Sequence, residues 1–87
     1  MLIENLDSQA RSAFVYNSND HNMWIGLASK PLQSQEQWNY TPPSNSTNLY
    51  IVLFKRDPGG GSIMAGACAG NDKIFSFNGW GVGLRSL

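Results

Sequence analysis

Residues 51–67, IVLFKRDPGGGSIMAGA, decide the fold, because they hold the strongest strand signal in the chain. An apolar run, a glycine-rich tip and a second apolar run follow one another, which is the pattern of a β-hairpin. Residues 13–28, AFVYNSNDHNMWIGLA, repeat this order 38 positions earlier with an Asn- and Asp-rich tip. Only Ile25 and Ile63 are identical between the two, so two pseudo-repeated hairpin units and the general likeness of any two hairpins both stay open.

Short runs of apolar or alternating residues, separated by turn-forming residues, continue along the rest of the chain. They predict strands over residues 13–17, 23–28, 37–41, 49–54, 63–69, 73–77 and 80–84. No long helical period interrupts them, so we expect an all-β fold, a small antiparallel barrel or sandwich of six to seven short strands. Asn78-Gly79 predicts a type I′ hairpin turn before the last strand.

The organisation expected from these signals is a single β domain over residues 1–87. Residues 12–41 form the first hairpin unit, residues 42–48 a linker that begins with two prolines, and residues 49–87 the second hairpin unit. The N-terminal segment is ambiguous. An edge strand over residues 2–6 is favoured, and a short helix over residues 8–12 is the alternative.

The composition limits the function classes. An 87-residue chain has a thin core. Six basic and six acidic residues, unclustered, argue against nucleic acid and against an anionic membrane surface. No apolar run approaches the ~20 residues of a membrane span, and the first residues lack a signal-peptide pattern. We therefore expect a cytoplasmic protein, with secretion by a non-classical route left open.

Catalytic, metal and cofactor motifs are not found in the sequence. His21 is the only histidine, so no nucleophile has an imidazole base nearby in sequence, and no zinc set can be built within the chain. Gly59-Gly60-Gly61-Ser62 lacks the lysine of a phosphate-binding loop, so no cofactor is expected. Cys68, the only cysteine, lies in an apolar run and is predicted to be buried and inert. We expect that the chain is not an enzyme.

What remains is a set of aromatic rings and carboxamides of the kind that line sugar sites, where rings stack on apolar sugar faces and amides bind hydroxyls. At least two of the three tryptophans are expected in the core, because a small domain needs large side chains there. The candidate ligand-binding residues are Trp24, Trp38, Tyr40, Trp80, Asn17, Asn19, Asn22 and Asn39. Trp38 and Tyr40 should share one face of their strand.

These observations predict a non-enzymatic binding domain for a glycan, a small polar ligand or a protein partner. The alternative is a structural or inhibitory protein-interaction module without a small-molecule site. Residues 49–54 are apolar on both strand faces, and no helix is available to cover the second face. An exposed apolar strip is an aggregation hazard, so we expect a homo-oligomer, with a dimer favoured.

Overall fold

The computed structural model describes residues 1–18, 24–46, 49–57 and 60–87, with only the backbone of residues 57 and 60. Its eight strands are β1 (Leu2–Asn5), β2 (Arg11–Ser18), β3 (Trp24–Leu32), β4 (Gln37–Asn39), β5 (Tyr50–Asp57), β6 (Gly60–Ala69), β7 (Lys73–Phe77) and β8 (Val82–Ser86). The expected all-β fold is confirmed, with eight strands where the sequence predicted six or seven. The alternative helix over residues 8–12 is wrong, because residues 7–9 form a bend and β2 already begins at residue 11.

The strands form two four-stranded sheets. Sheet 1 has the order β4-β1-β7-β8, and sheet 2 has the order β3-β2-β5-β6. All strand pairs are antiparallel except β1 and β7, which run parallel, so sheet 1 is mixed. The sheets pack as a sandwich, and the described strands do not close into a barrel. The molecule is a slab of 36 × 28 × 18 Å, whose shortest dimension is the thickness of two packed sheets.

The core lies between the two sheets. Alternate residues of β5, Tyr50, Val52 and Phe54, point inward and are almost fully buried. From sheet 1, Phe77 stacks on Phe54 with ring centroids 4.9 Å apart, and Phe75 is equally buried. Large rings fill this thin layer because few apolar residues are available to bury enough area.

The edge strand β3 is longer than the sequence predicted. It continues to Leu32 and includes Pro31, four residues beyond the predicted end of the strand at residue 28. Because β3 pairs only with β2 in sheet 2, its free side tolerates a residue without an N–H group. The β2–β3 pair also contains a register shift between Val15 and Tyr16, so the two strands are offset by one residue beyond it.

The turn between β7 and β8 differs from the expected type I′ turn. Phe77 pairs with Val82, which leaves four residues in the tip. Gly79 has a φ of 96°, whereas Asn78 has no positive φ. A type I′ turn needs positive φ at both central residues, so that prediction is wrong. The tips at residues 19–23 and 58–59, and residues 47–48 of the expected linker, lie outside the described residues.

The two outer faces of the sandwich have opposite chemistry. On sheet 1, Glu4 lies between Gln37 and Ser76 across the strands and binds both side chains. On sheet 2, the outward residues in the middle of β2 and β5 are Phe14, Tyr16, Ile51 and Leu53, which register as Phe14 with Leu53 and Tyr16 with Ile51. The outward pair Ser12 and Lys55 lies beyond them. The outer face of sheet 1 thus combines this polar cluster with Leu2 and Ile74, whereas large apolar side chains dominate the outer face of sheet 2, the apolar face.

Cys68 lies on the apolar face and is exposed, which corrects the expectation of a buried thiol. It pairs with Ile51 across β5 and β6, so its side chain shares the outward direction of Ile51. The apolar run that suggested burial alternates in the sheet: alanines 65, 67 and 69 pack towards the core, while Gly66 and Cys68 face outward. Small apolar residues on an edge strand do not by themselves indicate burial.

Candidate functional site

Three loops meet at one end of the sandwich, and we refer to residues 6–10, 33–36 and 78–81 together as the loop end. Asn5 of β1, fully buried, connects the first two loops. Its Nδ2 donates to the carbonyl oxygens of Gln9 (2.9 Å) and Leu32 (3.1 Å), and its Oδ1 accepts from the backbone N–H of Asp7 (3.0 Å). A single buried carboxamide thus positions the loop after β1 against the end of β3.

Residues of the second loop bind the first loop directly. The Oγ of Ser34 donates to the carbonyl oxygen of Asp7 at 2.6 Å, and the Nε2 of Gln35 donates to that of Leu6 at 3.2 Å. Gln35 has a φ of 68°, in the left-handed region that glycine favours. The backbone N–H of Gln35 donates to the carbonyl oxygen of Asn5 at 2.7 Å, which helps to hold this strained conformation.

The third loop carries the most exposed large hydrophobic side chain of the described residues. Trp80 is 91 % exposed at the β7–β8 tip. The Oδ1 of Asn78 accepts from the backbone N–H groups of Trp80 (2.9 Å) and Gly81 (3.0 Å), so the backbone under the indole is fixed. A Cβ built on Gly79 would lie 3.4 Å from the Asp7 carboxylate, which places the tip against the first loop.

The charges of the loop end are paired internally. The Nε of Arg11 donates to the Asp7 carboxylate at 2.9 Å, and this bond holds the pKa of Asp7 below its usual value. Glu36 lies 3.8 Å from Lys30, and its Oε1 accepts from the backbone N–H of Gln33 at 2.8 Å. Two acids and two bases cancel, so these pairs add no net charge to the loop end.

The structure does not bring the sequence-predicted residues together in one site. Trp24 begins β3 opposite Ser18 and is 44 % exposed. Ser18 lies seven residues along β2 from Arg11, about 23 Å away at ~3.3 Å per residue. Arg11 binds Asp7, and Asp7 lies against Gly79, so Trp80 is at the Arg11 end of the sandwich. Trp24 is therefore at the opposite end.

Trp38 and Tyr40 form a pair at the edge of sheet 1. Their ring centroids are 5.3 Å apart with the planes tilted by 49°, as expected for residues on one face of a strand. Both are half-buried and pack against the core, and burial raises the pKa of Tyr40. Trp38 is therefore the only tryptophan packed against the core, and the expectation of at least two is wrong.

The candidate carboxamides are also dispersed. Asn17 is buried, and its Nδ2 donates to the carbonyl oxygen of Leu49 at 2.9 Å. This side chain is therefore already bonded within the fold. Asn39 is exposed opposite Leu2 on sheet 1. Asn19 and Asn22 lie outside the described residues, as does His21.

A second polar cluster surrounds Glu4 on the outer face of sheet 1. Its Oε1 accepts from the Oγ of Ser76 (2.5 Å) and from Arg85 (2.6 Å), and its Oε2 accepts from the Nε2 of Gln37 (2.9 Å). The hydrogen bond from Ser76 is the main cause of the lowered pKa of Glu4; burial opposes it, and Gln37 and Arg85 add to it. Each bond joins strands of sheet 1, so the cluster stabilises the sheet.

Sequence reasoning did not identify the residues that build the loop end: Asn5, Leu6, Asp7, Arg11, Ser34 and Gln35. A short polar segment after a strand looks like any turn, and its partners are 27 to 29 residues away. Asn78-Gly79 was the one usable signal, since it marked a tip immediately before a tryptophan.

Comparison with known proteins gives no match to a family model, a curated protein or a solved structure. Among the described residues, no group of three or more His, Cys, Asp or Glu side chains could hold a metal ion, and no helix is long and apolar enough to span a membrane. The geometry of the loop end is therefore the basis of the functional assignment.

Proposed function

We propose that this chain is a non-enzymatic binding domain, whose loop end recognises an uncharged ligand with Trp80 as the anchor. The ligand class that fits best is a neutral glycan. The observation that carries the proposal is the 91 % exposure of Trp80 on a backbone fixed by Asn78. An indole held outward on a rigid tip offers a large apolar surface at little cost in conformational entropy.

The surroundings of Trp80 support an uncharged ligand. The Asp7–Arg11 and Lys30–Glu36 pairs leave no net charge at the loop end. The loop end combines side chains that donate and accept hydrogen bonds with two exposed apolar side chains, Trp80 and Leu6, the latter 42 % exposed. Ring stacking combined with hydroxyl recognition is the chemistry by which neutral sugars bind proteins.

Titration with a panel of neutral oligosaccharides, followed by intrinsic tryptophan fluorescence, tests the proposal. For a sugar that shifts the emission, calorimetry then compares the wild type with Trp80→Ala and with the matched control Trp24→Ala. We expect Trp80→Ala to weaken binding at least about tenfold, as for an anchor residue, and Trp24→Ala to leave the affinity unchanged. Equal losses in both variants would contradict the assignment to the loop end.

A protein-interaction module without a small-molecule site is the second candidate function. The apolar outer face of sheet 2 favours it, because large exposed apolar surfaces mark interaction sites. An oligosaccharide panel that shifts no tryptophan emission would overturn the glycan assignment and favour this candidate.

A further inference from the structure

The apolar outer face of sheet 2 is a second surface of the molecule, formed by strands rather than by the loop end. Phe14, Tyr16, Ile51 and Leu53 form a ridge of large side chains on the two middle strands. Ile63 of β6 pairs with Lys55 of β5. It extends this surface and is 57 % exposed. The other face of sheet 2 packs on sheet 1, and no described element covers this one.

We propose that this outer face binds the same face of a second copy of the chain, forming a symmetric dimer. The first argument is area. Four strands of 8 to 10 residues make a face of about 28 × 19 Å, or about 530 Å² per copy. Two such faces together cover about 1,100 Å², which exceeds the ~1,000 Å² that a biological interface should bury.

The second argument is charge. Lys55 is the one charged residue on the described part of the face, and its Nζ lies 4.5 Å from the centroid of the Phe14 ring. The cation is thus already placed over an aromatic ring of its own chain. The whole chain has no net charge, so two copies do not repel each other. A highly charged partner would find only this one charge on the described part of the face.

The third argument is shape. A two-fold interface requires one patch to be complementary to itself. Beside the middle of the ridge the residues are small, Gly26 and Ser29 on β3 and Gly66 and Cys68 on β6, whereas Ile63 lies further along β6. Along β3 this leaves an open depression of about 290 Å³, lined by Phe14, Val15, Tyr16 and residues 26–29. A side chain from the ridge of a second copy can enter this depression, as side chains interdigitate between two stacked sheets.

Cys68 reports on this interface without any substitution. It is exposed in the single chain and lies opposite Ile51 on the proposed interface. We expect its reaction with a thiol reagent to slow as the concentration of wild-type protein rises from about 1 to 500 μM. A rate that is independent of concentration, with a mass of 9.6 kDa throughout, would overturn the proposal.

Ile51→Lys, with Asn39→Lys as the matched control on the other broad face, locates the interface. Light scattering should give twice the chain mass for the wild type and for Asn39→Lys. Two lysines facing each other should raise the dimer dissociation constant of Ile51→Lys at least about 100-fold. A dimer that persists in a folded Ile51→Lys variant would overturn the proposal. If that variant does not fold, the concentration dependence of Cys68 labelling decides.

These outcomes are separable from those of the proposed function. A monomeric wild type that still binds a sugar through Trp80 removes the dimer and leaves the loop-end assignment in place. A dimeric wild type that binds no sugar of the panel removes the loop-end assignment and leaves the dimer in place.

Discussion

Replacing Asn5 by alanine tests how the loop end is organised. Asn5 is fully buried, and its carboxamide makes three bonds of 3.1 Å or less, to Asp7, Gln9 and Leu32. A hydrogen bond contributes about 0.5–1.5 kcal/mol net, and a buried group left unpaired costs more. We therefore expect Asn5→Ala to lower the free energy of unfolding by about 2–4 kcal/mol, a large part of the ~5–15 kcal/mol of a small domain.

The assay is urea unfolding followed by far-ultraviolet circular dichroism, with stability taken from the midpoint and the slope. Asn5→Asp is the informative second variant. It keeps the volume and the acceptor oxygen but removes the hydrogen bonds that Nδ2 donates to the carbonyl oxygens of Gln9, Leu32 and Gln33. Its loss of stability therefore cannot come from a cavity. Asn39→Ala, on the exposed surface, should change stability by no more than about 0.5 kcal/mol. A loss below about 1 kcal/mol for Asn5→Ala would refute the view that this side chain holds the loops together.

Three further predictions concern the core, the tip and the buried carboxylate. Phe77→Ala removes the ring stacked on Phe54 and should cost about 3–5 kcal/mol in urea unfolding; a cost below 1 kcal/mol would mean that the sheets do not pack through these rings. Gly79→Ala forces a Cβ into a φ of 96° and should cost about 1–2 kcal/mol, whereas unchanged stability would contradict this tip geometry. Glu4 has a lowered pKa in the folded state, so its contribution is present above its ordinary pKa of 4.5 and is lost as the pH falls through the folded value. Thermal unfolding should therefore show Glu4→Gln less stable than the wild type at pH 7, with the difference closing towards pH 2; a difference that persists at pH 2 would contradict this linkage.

The sequence was sufficient to predict the fold class, because strand signals are local. Alternation along residues 73–77 and the apolar run after residue 49 both identified strands that the structure contains. The arrangement of strands between sheets was not predictable in this way. Residues 2–6 read as an edge strand, yet β1 lies between β4 and β7. Its Glu4 is satisfied by Ser76 and Arg85, 72 and 81 residues away, and no local pattern shows such partners.

The candidate site was predictable only in part, for a physical reason. The expectation that tryptophans fill a small core assumes that large apolar side chains are scarce. Here Phe54, Phe75, Phe77 and Tyr50 already fill the layer between the sheets, which leaves Trp24 and Trp80 outside. Burial is decided by which residues alternate inward on each strand and by which faces are covered, and both depend on pairing between distant segments.

Nuclear magnetic resonance of the three tryptophan indole N–H groups tests the central claim most directly, that the loop end is the recognition surface. Single Trp→Phe variants assign the signals, and the protein is then titrated with the panel of neutral oligosaccharides. We predict that the Trp80 indole signal moves with at least one sugar, together with backbone amides of residues 6–10 and 33–36, while the Trp38 signal stays in place. A Trp80 signal that stays fixed across the whole panel, or shifts confined to Trp24, would contradict the account.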